Sequence, residues 1–255
     1  THTDRLELAV NARSNEAVEA AARITEFRHR HLYGATGSVT VESEDGEKVI
    51  AVNGSVIDAL SDLNLRGRHN FDNLCGAITG SYLLSGRWPD FAELAASVRT
   101  MSPLPSRLDT IAITRGIEFV DDALASNPAG TIAALEAFEG LPLSLIAGGH
   151  VRGTDFKALA RALDSRSRKS ATSLVYLGEA GERLARELDD IASAIDRSKA
   201  ASVADAVAMA TEHVSASGGV VLLSPAAPTP RAEGTYVERS AEFRRAVEER
   251  VTRPC

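Results

Sequence analysis

The sequence predicts an α/β protein whose sheet is mostly parallel and covered by helices on both faces. Three observations carry that prediction. Short runs such as Leu143-Ser144-Leu145-Ile146-Ala147 and Val220-Val221-Leu222-Leu223 are almost wholly apolar, as strands buried on both faces must be. Between them lie segments that are apolar at helical spacing. The boundaries carry helix-start chemistry, with Asn127 before Pro128 and Thr154-Asp155 before Phe156.

In chain order, residues 5–12 read as a short strand and 15–23 as a helix. Strands over 38–42 and 48–52 follow, joined by a hairpin turn at Glu44-Asp45-Gly46. Residues 68–85 place Leu74, Ala77, Ile78, Tyr82 and Leu83 at helical spacing, and a second helix covers 89–98. Met101-Ser102-Pro103-Leu104-Pro105 then breaks the regularity and marks a linker between domains 1–103 and 104–255. Beyond it, strand, loop and helix repeat. Strands are expected at 116–120, 143–147, 173–177 and 220–223, and helices at 131–138, 156–163, from 178 through Leu188, 203–214 and 240–251.

Bulk properties narrow the function. A formal net charge of -7 argues against nucleic acid as the main partner. No apolar run approaches the roughly 20 residues that a membrane span needs. Cys75 and Cys255 share no ligand-like spacing and read as free thiols of a reducing, cytoplasmic compartment. The chain starts at Thr1 without a Met or a leader, which reads as part of a longer polypeptide. Residues 27–31 (Phe-Arg-His-Arg-His) lack acidic or thiol partners and read as a solvated surface patch.

In an open α/β sheet, ligands bind beyond the carboxyl ends of the strands. The loops there are Asp121-Asp122-Ala123-Leu124-Ala125-Ser126-Asn127, Gly148-Gly149-His150-Val151-Arg152-Gly153, Gly178-Glu179-Ala180-Gly181 and Ser224-Pro225-Ala226-Ala227-Pro228-Thr229. Any one of them is ordinary loop punctuation. Together they put carboxylates, a guanidinium, hydroxyls and glycines on one rim, suited to a polar anionic small molecule, with Arg152 as carboxylate clamp.

These loops resemble the last domain of Mur ligases. The features are Asp-Asp-x-x-Ala-Ser-Asn-Pro before a helix, Gly-Gly-x-x-Arg-Gly-x-Asp-Phe after a strand, and Leu-Leu-Ser-Pro-Ala ending the final strand. Upstream, residues 65–73 (Leu-Arg-Gly-Arg-His-Asn-Phe-Asp-Asn) resemble the segment that closes the family's central domain. Leu104-Pro105-Ser106-Arg107 resembles the junction into the last one. The resemblance covers residues 48–245 in order and is strongest to the glutamate-adding members.

The resemblance implies a Rossmann-like C-terminal domain preceded by the tail of an α/β ATPase domain. It implies a monomeric cytoplasmic ligase of peptidoglycan precursor synthesis that uses ATP and Mg²⁺ to join glutamate to UDP-N-acetylmuramoyl-L-alanine through an acyl phosphate. Carried onto this chain, Asn73 touches adenine, Arg107 the phosphates and Asp122 the ribose. Arg152, Ser126, Thr229 and Tyr236 line the glutamate pocket. The bland readings are that Asn73 decorates its helix, Asp122 is a helix-start carboxylate and Tyr236 is packing. Three departures stand out: Leu124 where the D-glutamate enzymes keep a lysine, Ser106 for a histidine, and a changed loop at 230–234. The first leaves an L-glutamate-adding variant open. No Gly-x-x-x-x-Gly-Lys-Ser/Thr phosphate loop occurs, so this segment alone is expected not to turn over ATP, with the Mg²⁺ ligands elsewhere. A ligase-like binding domain without catalysis and a folate- or polyglutamate-adding ligase are the other readings.

Overall fold

The computed structural model describes residues 7–24, 27, 29–44, 47–59, 63, 65–151 and 153–252. The chain divides into two compact units, Thr1–Ser102 and Pro103–Cys255. Each has its own sheet.

The first unit runs β1 (Glu7–Asn11), α1 (Asn15–Arg23), β2 (His29–Gly34), β3 (Val39–Glu44), β4 (Glu47–Val52), β5 (Ser55–Ala59), α2 (Arg68–Ser85) and α3 (Phe91–Arg99). Strands lie in sequence order, β1 to β3 parallel and β3 to β5 antiparallel. Helix starts follow side-chain chemistry: Ser14 accepts from the Ala17 N–H, and Asp90 accepts from the Ala92 and Glu93 N–H groups. The apolar face of α2 closes the core, where Leu74, Cys75 and Ile78 meet Val39, Ile50, Val52 and Val98.

Two strands of this unit were not read from the sequence. Residues 27–31 are not merely a surface patch, because β2 begins at His29 and pairs with both β1 and β3. Its charge is accommodated locally: Arg30 donates to the Ala21 and Ile24 carbonyls, and His31 lies 3.5 Å from Glu7. In β5 the acidic Asp58 hides the strand pattern, yet it is 6% exposed and bound by both Nε and a terminal nitrogen of Arg99. Arg28, the turn residues Asp45 and Gly46, and Cys255 lie outside the described residues.

The second unit runs β6 (Asp109–Thr114), β7 (Ile117–Asp121), α4 (Pro128–Glu136), β8 (Leu143–Gly148), α5 (Lys157–Ser167), β9 (Thr172–Leu177), α6 (Gly178–Asp190), β10 (Asp196–Lys199), α7 (Val203–Val214), β11 (Gly219–Leu223), a 3₁₀ turn (Arg231–Glu233) and α8 (Tyr236–Thr252). Its six strands lie in the order β10-β9-β8-β11-β7-β6, all parallel except β6. Period-two alternation divides the core. Val220 and Leu222 face α4, α5 and α6 with Leu135, Phe138, Leu159 and Leu184. Val221 and Leu223 face α7 and α8 with Val207, Ala210, Phe243 and Val247. Each large apolar side chain so buried stabilises the fold by roughly 1.5–3 kcal/mol. The sequence reading missed β6, and it missed β10, whose Asp-Arg-Ser-Lys sequence is the charged signature of a short edge strand. Helix α8 starts four residues earlier than the expected 240.

Candidate functional site

The carboxyl ends of β7, β8 and β11 form one rim in the second unit because those strands are neighbours. The loops after β7 and β8 lead to helices on one face, whereas the loop after β11 leads to α8 on the other. Adjacent loops leaving in opposite directions open a crevice at the strand tips. Hydrogen bonds stitch the loops together. The Asp122 N–H donates to the Leu223 carbonyl (2.8 Å), Gly148 N–H to Pro225 (2.9 Å), His150 N–H to Pro228 (2.9 Å) and Ala180 N–H to Gly149 (3.1 Å).

Glycine is obligatory at the β8 tip. At Gly148 (φ 141°) a Cβ would lie 1.9 Å from the Leu177 carbonyl oxygen, and at Gly149 (φ 147°) 2.4 Å from that of Pro228. The backbones of β9 and of the β11 loop therefore approach as closely as a side-chain-free chain allows.

Of the residues singled out from the sequence, Asp122 and Ser126 share the β7–α4 loop, Thr229 lies on the β11–α8 loop, and Tyr236 opens α8. Asn127 does cap α4, accepting from the Gly130 N–H at 3.0 Å with Pro128 at the first helical position. Ser126 is exposed and Tyr236 is 42% exposed. The Thr229 hydroxyl is buried without a hydrogen-bond partner, a polar atom placed where a ligand would satisfy it. Arg107 is exposed between two buried neighbours, in a turn where Ser106 (φ 61°) and Leu108 (φ 49°) are both left-handed. Arg152 lies outside the described residues. Asn73 belongs to the first unit, exposed on α2, whose N-cap is Gly67 with no side-chain cap.

Two consecutive acidic residues, Asp121 and Asp122, are 0% and 7% exposed. Asp122 accepts from the Ser224 hydroxyl at 2.7 Å and from the Leu108 N–H at 3.3 Å. Burial pushes its carboxyl up to about 6. The Ser224 and Leu108 bonds and the charge of Arg107 oppose the rise, and the charge of Asp121 adds to it. Each carboxylate oxygen of Asp122 keeps an acceptor site beyond its one internal bond. Asp121 is fully enclosed by Ser106, Ser240, Arg244 and the Ala123 N–H.

Sequence reasoning missed Ser224, which sits in the quoted Leu-Leu-Ser-Pro-Ala run but bonds both Asp122 and Thr131. It also missed Arg239, buried on α8 and donating to the Gly148 carbonyl at 3.0 Å. Nothing local in a charged helix distinguishes that arginine from its exposed neighbours. A cavity of about 730 Å³ lies at the amino ends of the strands, lined by Leu143, Thr172, Ser173, Asp196 and His213, and includes none of the predicted residues.

A family model described as "Mur ligase, glutamate ligase domain" matches residues 106–227, which span the rim from the Arg107 turn to the loop after β11. The chain belongs to the Mur ligase family. Among its relatives, the UDP-N-acetylmuramoyl-L-alanine–L-glutamate ligase of Xanthomonas euvesicatoria pv. vesicatoria is 33% identical over 185 residues, 72% of this chain and 38% of that protein. The UDP-N-acetylmuramoylalanine–D-glutamate ligase of Trichlorobacter lovleyi is 30% identical over 247 residues, 94% of this chain and 52% of that protein. This Mur ligase chain thus spans between 38% and 52% of the length of these curated relatives. Its fold is shared with Mycobacterium tuberculosis folylpolyglutamate synthase complexed with ADP, at a TM-score of 0.62 and 19% identity over 94% of this chain and 52% of that one.

Proposed function

We propose that this Mur ligase chain is the amino-acid- and nucleotide-binding end of an ATP-dependent ligase that joins glutamate to UDP-N-acetylmuramoyl-L-alanine in the cytoplasm. Residues 1–103 are then part of the central nucleotide domain and 104–255 belong to the last domain. The observation that carries the reading is the stitched rim: a buried carboxylate of raised pKa, an exposed arginine and an orphaned threonine hydroxyl on loops bonded to one another. Positioning of this kind is what an acyl-transfer ligase requires, because proximity and charge neutralisation supply most of its catalysis.

The residues present fit part of ATP. Arg107 offers a fork of donors to a phosphate, and the remaining acceptor sites of Asp122 suit a ribose hydroxyl. Asn73 is the adenine contact in this reading. ATP supplies the phosphoryl group that activates the substrate carboxylate. Among the described residues no group of three or more His, Cys, Asp or Glu is placed to hold a metal ion, so no Mg²⁺ ligand is assigned here. Arg152, Ser126, Thr229 and Tyr236 hold the incoming glutamate, Arg152 pairing with its carboxylate. Among the described residues no helix is long and apolar enough to cross a membrane.

Leu124 stands where the resemblance expects the lysine of D-glutamate-adding members, and the two relatives' names specify opposite glutamate enantiomers. The test is phosphate release by the complete enzyme with UDP-N-acetylmuramoyl-L-alanine and each enantiomer in turn. Release that depends on one enantiomer supports the function and fixes its stereochemistry. Release that no glutamate stimulates rejects it.

A further inference from the structure

Asp109 and Asp121 face each other in register across the antiparallel β6–β7 pair. Two like charges directly opposite on neighbouring strands repel. A single side chain bridges both: the Arg244 guanidinium on α8 reaches Asp109 at 2.6 Å and Asp121 at 2.9 and 3.1 Å. Ser240, one turn earlier on α8, adds a 2.6 Å bond to the same Asp121 oxygen.

Asp121 is more than a partner for Arg244. Its Oδ2 accepts from the Ser106 hydroxyl at 3.3 Å and its Oδ1 from the Ala123 N–H at 3.1 Å. The Ser106 carbonyl in turn accepts from the Leu124 N–H at 3.2 Å. The left-handed 106–108 turn, which costs free energy at two non-glycine residues, is held in place from this carboxylate.

We propose that Arg244 is a positioning residue whose bridge between Asp109 and Asp121 holds the turn presenting Arg107, so that the last helix sets nucleotide affinity at the rim. This rests on the reading of Arg107 as the phosphate contact. With a neutral residue at 244, the facing carboxylates lose their shared cation and part, and the Ser106 and Ala123 anchors move with Asp121. The effect is expected on the nucleotide side, because the Gly148-Gly149 loop is tied to Pro225, Ala180 and Arg239 and not to Asp109, Asp121 or Arg244.

Two measurements test it. In the 255-residue chain, Arg244→Gln should speed amide exchange at Arg107, Ala123 and Leu124 at least tenfold while leaving Leu145 and Val221 within twofold. Arg244→Lys, which keeps the charge but lacks the fork, should fall between, and it carries the test if the Gln variant fails to fold. In the complete ligase, Arg244→Gln should raise the KM for ATP about tenfold, with the KM for glutamate within twofold. Uniform or absent acceleration of exchange overturns the anchor. Local acceleration with an unchanged KM for ATP overturns the link to nucleotide affinity and rejects Arg107 as the phosphate contact, whereas absence of any ligase activity in the wild type rejects the functional reading and leaves the exchange result standing.

Discussion

Replacing Asp122 by Asn should change how stability depends on pH, with a sign fixed by the geometry. The carboxyl is 7% exposed and its pKa is raised from 3.8 to about 6. The folded state therefore keeps this proton to a higher pH than the unfolded chain does. Between about pH 4 and pH 6 the native protein binds more protons, so stability falls as pH rises through that window. The stabilisation is fully present below the unfolded pKa and lost above the folded one. About two pKa units at roughly 1.4 kcal/mol each give about 3 kcal/mol between the two limits. Asn is neutral throughout, so it removes this dependence while its amide can still accept from Leu108. Urea unfolding of both proteins from pH 4 to 7.5 reads the difference. The Asn variant should gain about 3 kcal/mol relative to wild type across the range, and carboxyl ¹³C shifts should place the Asp122 midpoint near 6. A difference that stays flat with pH, or that runs the other way, would refute the argument from burial.

Further consequences follow from packing. Gly148→Ala should cost about 3 kcal/mol or more in urea unfolding, since its φ of 141° and the Leu177 carbonyl both reject a Cβ. Phe243→Ala should cost roughly 3–5 kcal/mol in the same assay, because that ring is 0% exposed in the core between α8 and the sheet. Arg166→Met should cost roughly 2–4 kcal/mol, since Arg166 donates to the Phe138 and Leu141 carbonyls and to the Thr172 hydroxyl from a site 9% exposed. A melting temperature unchanged by Arg166→Met would mean that those groups find other partners.

What the sequence disclosed depended on how far each element obeys a local rule. Helices α1, α2 and α7 run between the residues the sequence suggested, because the Ser14 and Ser202 caps of α1 and α7 and the apolar spacing of α2 are local signals. The strands β7, β8, β9 and β11 were legible as largely apolar runs, since burial on both faces favours apolar residues and admits only a few bonded polar ones such as Asp121, Ser144 and Ser173. β2, β5 and β10 were not, because each carries a charged side chain that a partner outside its own strand satisfies: Arg30 by carbonyls at the α1 end, Asp58 by Arg99, Arg197 by Asp189. The site divides in the same way. Its loops were legible as clusters of glycine, hydroxyl and carboxylate. The raised pKa of Asp122 and the Asp109–Arg244–Asp121 bridge were not, because burial is set by the whole packed unit and Arg244 lies more than a hundred positions from both aspartates.

The central claim is that the rim of the second unit grips glutamate with one set of side chains and the nucleotide with another. Kinetics of Arg152→Ala in the complete ligase test it most directly. The KM for glutamate should rise far more than the KM for ATP. Equal rises in both, or none, would contradict the division of the rim.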